Sequence, residues 1–453
     1  MRSAGRAPRT SSWARGSGRS TGTLVLALCT ALALAALAAC KKDPQGSNDD
    51  GGVSSGKSAA PPPVLILEDS GVKGARRPVS TSWGIAGHNL DAEIKDRVKR
   101  AYTDPEQVAY LASLYVTRGQ TLASVEDYEK AEVVAADLVK ASPKSGLAHA
   151  IHAVTLGALH LFDAEAKELD EAARLGAPAE RVSGARIALF EATGKYDEAQ
   201  KLMLPIDDHS KAVAMVTAAV LASHMQKTDE AERLFEKART SFVDVSPFPI
   251  AWMDFQRGTL LEAAGKEKEA RTYYLEALEA IPVYAHAAVH ASITDPPDRA
   301  ITRLEAVKAV SSDPDVLAAL ADAHKRAKHE AEAKKANDVA RARYEELLVK
   351  HPEAYRDHAA RFYLAAGNDS KKALDLADKN AKLRPTEEAI DLWMAAATAA
   401  NDKPQICASA NAMKQLRYAS ETRKRLAAAS SNGCPETSDA GASNAGASDA
   451  GAK

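Results

Sequence analysis

Residues 251–284 decide the fold, and they read AWMDFQRGTLLEAAGKEKEARTYYLEALEAIPVY. Gly258 is small enough to let two helices approach closely, and Gly265 marks a turn between two helical blocks. Pro282 ends the second block. This block carries small and aromatic residues at spacings of four and three, on one helix face: Ala270, Tyr274 and Ala277. The stretch therefore predicts two short helices that pack as a hairpin.

The same turn recurs along the chain. Gly194-Lys195-Tyr196-Asp197-Glu198-Ala199 again places a small residue five positions after a glycine. Alanines suited to the same place in a second helix recur at intervals of about 35 residues: Ala131, Ala164, Ala199, Ala231, Ala270, Ala300, Ala331, Ala373 and Ala408. Proline stands twelve residues after three of them, as Pro143, Pro282 and Pro385. One shared period predicts a stack of helix pairs.

This pattern resembles the tetratricopeptide repeat, a helix–turn–helix unit of about 34 residues. The resemblance implies an all-α, right-handed superhelical solenoid of about nine repeats over residues 89–428. We expect the unit around Ala300 to be irregular, because Pro296-Pro297 stand in its turn. We also expect an overlong second helix that runs towards Leu348. No long stretch alternates with period two, so strands are not predicted.

Residues 1–39 are typical of a secretory signal peptide. An Arg-rich stretch precedes an apolar run at residues 24–39, which is shorter than the roughly 20 residues of a membrane span. The run ends in Leu37-Ala38-Ala39-Cys40, which resembles the lipobox of bacterial lipoproteins. The resemblance implies acylation of Cys40 and a lipid anchor in the membrane, with a plain signal peptide as the alternative. Lys41, rather than Asp, after the cysteine favours the outer membrane, with the protein facing the periplasm.

Composition separates the two ends from the repeats. Residues 40–88 are rich in Gly, Ser and Pro and predict a flexible tether, and residues 429–453 predict a disordered Ala/Gly/Ser/Asp tail. The formal net charge is −2, and loss of the five arginines in residues 1–39 would bring the mature chain to about −7. Binding to phosphates needs a basic surface, so we expect no nucleic acid partner.

Two of the four cysteines, Cys407 and Cys434, fall within or just after the last predicted helices. An exported protein reaches an oxidising compartment, and the Ser-Ser-Asn-Gly stretch before Cys434 can turn the chain back. The two thiols therefore predict one disulfide, with two unrelated free thiols as the alternative.

No catalytic or cofactor motif stands in a fitting context. Gly52-x-Ser54-x-Gly56 matches a nucleophile elbow, but it lies in the tether without a strand before it. His286 and His290 have the spacing of a zinc-binding helix, but Ala287 stands where a metalloprotease has glutamate. We expect no catalytic residue, no metal and no cofactor.

The resemblance also indicates where a partner would bind. In the tetratricopeptide family the first helices line a concave groove that holds a peptide or a partner domain. Six side chains occupy the matching positions here: Trp252, Phe255, Thr259, Tyr355, His358 and Phe362. Aromatic side chains make strong interface anchors, although these six could equally pack between repeats.

These features predict a membrane-anchored lipoprotein that acts as a scaffold or assembly factor in the cell envelope and binds protein partners or peptides. The alternative is a cell-wall enzyme on a helical solenoid, such as a lytic transglycosylase. That alternative needs a compact catalytic domain with a carboxylic general acid. The segments outside the repeats are too short or too polar to form one.

Overall fold

The computed structural model describes residues 80–101, 103–207 and 210–434. Within these ranges it contains twenty α-helices and no β-strand, which confirms the predicted all-α class. In chain order the helices are α1 (Trp83–Arg100), α2 (Pro105–Leu122), α3 (Val125–Ala141), α4 (Gly146–Ala158), α5 (Phe162–Arg174), α6 (Ala179–Ala192), α7 (Tyr196–Leu202), α8 (Ala212–His224), α9 (Thr228–Ser241), α10 (Pro247–Ala263), α11 (Glu267–Ala280), α12 (Ala285–Ser292), α13 (Pro297–Lys308), α14 (Pro314–Arg326), α15 (Glu330–Lys350), α16 (Pro352–Leu364), α17 (Ser370–Leu383), α18 (Glu387–Ala399), α19 (Lys403–Gln415) and α20 (Glu421–Ser430).

Helices α2 to α19 form nine consecutive hairpins, and each hairpin packs against the next one along the chain. Helix α1 precedes the first hairpin, and α20 packs against α19 at the other end. A short amphipathic hairpin cannot bury its apolar face alone, so stacking supplies the continuous core. This arrangement confirms the predicted helical solenoid of about nine units.

Local sequence sets the ends of the helices. The carboxylate of Asp104 accepts a hydrogen bond from the backbone N–H of Gln107 at 3.1 Å, and Asp369 caps α17 in the same way. Proline occupies the first turn of α2, α10, α13, α14, α16 and α19, where its missing N–H has no cost. Gly194 and Gly265 adopt φ values of +73° and +75° after α6 and α10, a left-handed conformation that ends a helix.

Most of the predicted small anchors lie where the helices of a hairpin cross. Ala199, Ala231, Ala270, Ala300 and Ala373 each stand at the fourth residue of a second helix and are at most 1% exposed. Alanine at this place lets neighbouring helices approach closely. Three other anchors are misplaced, because their helices begin at a different residue than the period predicts: Ala164 is only half-buried, and Ala331 and Ala408 are exposed.

The irregular units agree with the sequence, whereas the outer boundaries differ slightly. Helix α15 is overlong, as predicted, with 21 residues, and α12, before the two prolines, has only eight. Residues 83–88, which composition places in the tether, belong to α1, because Trp83 packs against Phe248 with ring centroids 6.1 Å apart. Residues 429 and 430, which composition places in the tail, complete α20. None of the helices in the described ranges is both long and apolar enough to cross a membrane.

Candidate functional site

Three of the six predicted groove residues lie in the core. Trp252, Phe255 and Thr259 on α10 are each 1% exposed. The ring centroid of Phe255 lies 5.5 Å from that of Tyr284 and 5.8 Å from that of Tyr274. These residues therefore pack between repeats rather than line an open groove, because helices on both sides of α10 fill the space around them.

The other three predicted residues lie on α16 and also contact the chain itself. Phe362 is 4% exposed, and its ring centroid lies 4.9 Å from that of Tyr344. His358 Nδ1 lies 2.5 Å from Asp315 Oδ2 on α14. Tyr355 is half-buried and packs against the apolar cluster of α1 to α3. These side chains join helices of the solenoid, so the predicted open groove is not present at α16.

Two carboxylates hold His358 in its charged form. Burial disfavours the imidazolium, but Asp315 and Asp357 outweigh burial and raise the pKa of His358 to about 10. Burial also opposes the ionisation of Asp315, but His358 holds the pKa of Asp315 well below its ordinary value. The imidazolium and the carboxylates compensate each other's charge, so this cluster fastens α16 to α14.

Helices far apart in the sequence meet at a closing seam, which we define as the contacts of α3 to α9 and their loops with α15 to α20 and their loops. Glu126 on α3 accepts a hydrogen bond from Arg343 on α15. Glu129 Oε1 lies 2.7 Å from His351 Nε2, just after α15. Leu347 on α15 is 1% exposed and joins the apolar cluster of α1 to α3. The first helices of the solenoid thus pack on α15, which lies more than 200 residues further along the chain.

A second part of the closing seam surrounds α7. Asp197 accepts hydrogen bonds from Arg417 at 2.7 Å and from the hydroxyl of Tyr418 at 2.5 Å. A Cβ atom on Gly194 would lie only 2.9 Å from the carbonyl oxygen of Pro385. The closing seam thus joins α7 and the turn before it to residues that follow α17 and α19. Local motifs could not reveal it, because the paired residues lie 220 positions apart.

Polar side chains fill the interior beside the closing seam. Burial lowers the pKa of His160 to about 3 and raises the pKa of Glu191 well above its ordinary value. Arg384 Nη1 lies 3.6 Å from Asp357 Oδ2. His160 is therefore neutral, and near it the opposite charges of Arg384 and Asp357 balance each other. Within the described residues, no group of three or more His, Cys, Asp or Glu side chains has a metal-binding arrangement.

An open pocket of about 360 Å³ lies between α7, α8 and α9. It exists because α7 has only seven residues and is followed by an irregular segment that includes Pro205. Leu204 at this segment is 76% exposed. Pro205 is the sequence signal that could have indicated the pocket, since proline interrupts a helix. Twelve residues line the pocket: Gln200, Met203, Leu204, Pro205, Ile206, Ala218, Leu221, Ala222, Lys227, Glu230, Arg233 and Leu234.

The two body cysteines are joined at the last hairpin. A disulfide links Cys407 on α19 to Cys434 after α20, with a Cα–Cα distance of 5.6 Å. Lys403 Nζ also donates to the carbonyl oxygen of Asn432 at 2.8 Å. These contacts fasten α20 onto the last hairpin, which has a neighbour on one side only. Cys40, the predicted lipidation site, lies outside the described residues.

The chain matches no family model. It also matches no curated protein. Among solved structures it is similar to yeast Tom70, with 12% identity, a TM-score of 0.30 and coverage of 77% of this chain and 93% of that one. A human IFIT1 dimer with PPP-AAAA shares 14% identity, with a TM-score of 0.33 and coverage of 76% and 79%. Naa15/Naa10 bound to HypK-THB shares 13% identity, with a TM-score of 0.23 and coverage of 76% and 62%.

Proposed function

We propose that this protein is a lipid-anchored scaffold of a bacterial cell envelope, which binds partner proteins and catalyses no reaction. The lipobox-like sequence at Leu37–Cys40 supports the anchor, and the nine stacked hairpins support the scaffold. The lysines after Cys40 support a place at the outer membrane, facing the periplasm. Partner binding takes place on the exposed surface of the solenoid, because Trp252, Phe255 and Thr259 are packed between repeats.

The open pocket beside α7 carries this proposal. A pocket of about 360 Å³ lies within the range of ligand sites in proteins, and its lining combines apolar side chains with the charged Lys227, Glu230 and Arg233. The predicted groove residues are packed within the solenoid, whereas Leu204 at the pocket is exposed.

Metabolic acyl labelling tests the anchor. Each buried methylene adds about 0.8 kcal/mol to membrane affinity, so several acyl chains on Cys40 hold the protein firmly in the membrane. We expect the wild-type chain to incorporate an alkyne-tagged fatty acid, and Cys40→Ser to incorporate none and to leave the membrane fraction or remain unprocessed. Cys29→Ser, in the apolar leader, is the matched control and should label as the wild type does. Equal labelling of Cys40→Ser would contradict the anchor.

Affinity purification from detergent-solubilised envelope tests the scaffold. We expect the tagged full chain to retain one or more envelope proteins reproducibly, and an unrelated tagged lipoprotein to retain none of them. Incubation of the same preparation with isolated peptidoglycan should release no soluble fragments. Recovery of the tagged chain alone would contradict the scaffold role, and release of fragments would support the enzyme instead.

A further inference from the structure

The loop between α9 and α10 leaves an apolar strip uncovered. Its first and last residues, Phe242 and Ser246, have extended backbone conformations. Val243 is 95% exposed and Val245 is 60% exposed. Side chains two positions apart in an extended segment point to the same side, so the two valines form one apolar strip. We call residues 243–245 the valine edge.

Part of the backbone of the valine edge is open to pairing. The carbonyl oxygen of Val245 accepts a hydrogen bond from the backbone N–H of Thr81 at 2.7 Å, so the chain before α1 already lies alongside this edge. Within the described ranges, the backbone N–H and carbonyl oxygen of Val243 have no hydrogen-bond partner. An extended edge with unpaired backbone groups and exposed apolar side chains is a template for one more strand.

A short apolar run stands in the part of the chain that leads to this edge. Val64–Leu67 reads VLIL, follows three prolines and precedes two acidic residues. It lies outside the described residues. Valine and isoleucine are typical of extended strands. The segment between this run and Thr81 is about 13 residues long and spans up to about 45 Å, and Gly71 and Pro78 within it permit a reversal. The run can therefore return to the valine edge.

We propose that Val64–Leu67 binds the valine edge as an added strand and holds the tether on the solenoid beside α1. Its apolar side chains cover Val243 and Val245, and its backbone pairs with the open groups of Val243. The contact is intramolecular, and a short connection gives an effective concentration of about millimolar, which favours even a small apolar contact. A segment of a second copy or of another protein has no such advantage.

Docking of the run shortens the part of the tether that remains free. In a chain anchored at Cys40, the free segment changes from residues 41–79 to residues 41–63. Its root-mean-square span then falls from about 34 Å to about 26 Å, so the solenoid stays closer to the membrane. This consequence rests on the proposed lipid anchor, whereas the docking itself does not.

Photo-cross-linking in the purified full chain tests the occupant. The chain carries p-benzoylphenylalanine in place of Val243 or, as a control, in place of Val349, which is 84% exposed on α15. Equal amounts of unlabelled and isotopically labelled chain are mixed, so that mass spectrometry separates links within one chain from links between two copies. We expect position 243 to link to a peptide that contains Val64–Leu67 of the same chain. Position 349 should not link to this peptide.

Two double variants of the tether test whether the apolar run makes the contact. Leu65→Asp with Ile66→Asp places a charge on each face of the strand, and we expect it to lower the yield of the link from position 243 at least fivefold, roughly, because a charge on the strip loses its water. Val72→Asp with Ala75→Asp adds the same charges outside the run and should leave the yield within about twofold of the wild-type value.

Hydrogen exchange gives a second measurement without a cross-linker. Exchange of the backbone amides of residues 64–67 should be about tenfold slower in the wild type than in Val245→Asp, because a charge on the edge releases the strand. Val349→Asp should leave this exchange unchanged. Equal exchange in the wild type and Val245→Asp would overturn the docking.

Three results of the cross-linking would also overturn the docking: no link from position 243 to the run, a link only to detergent or to a second copy, or equal yields from the two double variants. Cys40→Ser separates the docking from the proposed anchor, and the link should form in it as in the wild type. If the wild type is lipidated and the link is absent, only the docking fails. If the link forms and the wild type carries no lipid, the docking stands and the anchor fails.

Discussion

The hairpins α6–α7 and α10–α11 share one turn and differ in the length of the second helix. Both place a glycine with a φ near +75° before the second helix, and both bury an alanine five residues later, Ala199 at 0% and Ala270 at 1% exposure. After that alanine, α11 continues to Ala280, whereas α7 ends at Leu202. The shared motif therefore determines where the second helix begins, but not where it ends.

The two hairpins are also held by different parts of the chain. Arg239 on α9 bonds to Asp254 on α10 and to Glu276 on α11, so the complete hairpin is fastened to its neighbour in sequence. The short hairpin also bonds to its neighbour in sequence, through Arg186 on α6 and Asp170 on α5, and in addition it contacts Pro385 and Tyr418 across the closing seam. A full second helix can pack locally, whereas a truncated one leaves part of its packing to distant helices. Four predictions test this contrast, in order of decreasing effect.

The largest effect is expected from Arg239→Ala. The side chains of Arg239, Asp254 and Glu276 are 5%, 3% and 6% exposed in their ion pairs, so removal of the guanidinium leaves two carboxylates buried without it. We expect a loss of about 3–5 kcal/mol in the free energy of unfolding, measured by urea titration with circular dichroism. Lys201→Ala, on α7, changes an exposed residue and should cost no more than about 0.5 kcal/mol. Equal losses would contradict the contrast between the hairpins.

The repeated turn makes much of the fold predictable. The spacing of Gly265 to Ala270, and of Gly194 to Ala199, is sufficient to predict helix pairs at one period, because helix starts depend on a few local residues. The predicted anchor alanine is wrong where a helix begins earlier or later than the repeat period predicts, as at Ala331. Element boundaries depend on capping residues that a repeat pattern does not fix.

The candidate site is far less predictable. Carrying the family's groove over to α10 and α16 assumes that the inner face stays open. No local pattern reports that Glu126 meets Arg343 or that Asp197 meets Tyr418, since such pairs depend on the cumulative curvature of many hairpins. The pocket has one local signal, Pro205, because proline interrupts a helix, but a proline between two helical blocks does not show how far before it the helix ends.

The second prediction compares the two turn glycines. Alanine at either Gly194 or Gly265 must adopt a left-handed φ, which costs about 1–2 kcal/mol. A Cβ on Gly265 would have no heavy atom within 4 Å, whereas one on Gly194 would lie 2.9 Å from the carbonyl oxygen of Pro385. We therefore expect Gly194→Ala to lower the free energy of unfolding by about 1–2 kcal/mol more than Gly265→Ala does. An equal loss in the two variants would show that the closing seam is not formed there in solution.

The third prediction uses two glutamates that stand three residues before these glycines. Burial alone raises the pKa of Glu191 well above its ordinary value. Burial also opposes ionisation of Glu262, but His290, at 2.8 Å, and the hydroxyl of Tyr274 hold its pKa below the ordinary value of 4.5. The same position in the two hairpins therefore has opposite pKa shifts.

The two shifts predict opposite dependence of stability on pH. Glu191 contributes stability that is present below pH 4.5 and is lost as the pH rises through its raised pKa, by at most about 1.4 kcal/mol per pH unit. Glu262 contributes stability that is present above pH 4.5 and is lost as the pH falls through its lowered pKa. Relative to the wild type, Glu191→Gln should gain stability from pH 5 to pH 8 by about 1 kcal/mol or more. Glu262→Gln should be less stable than the wild type at neutral pH, and its stability should approach that of the wild type in acid. Stability is measured by urea titration at each pH. Parallel pH profiles of the two variants would contradict the opposite pKa shifts of Glu191 and Glu262.

The smallest effect is expected where Asp197 meets Tyr418. The hydroxyl of Tyr418 donates to Asp197 at 2.5 Å, so Tyr418→Phe removes this hydrogen bond and little else. A double-mutant cycle with Asp197→Ala should give a coupling energy of about 0.5–1 kcal/mol, since the pair is only partly buried. Lys268, which holds the place of Asp197 in the complete hairpin, provides the control. Lys268→Ala and Tyr418→Phe should be additive within about 0.3–0.5 kcal/mol, because the two residues lie in separate parts of the solenoid. Coupling in the first cycle and additivity in the second would show that the short hairpin, unlike the complete one, is stabilised by residues near Tyr418. Additivity in both cycles would contradict this difference between the two hairpins.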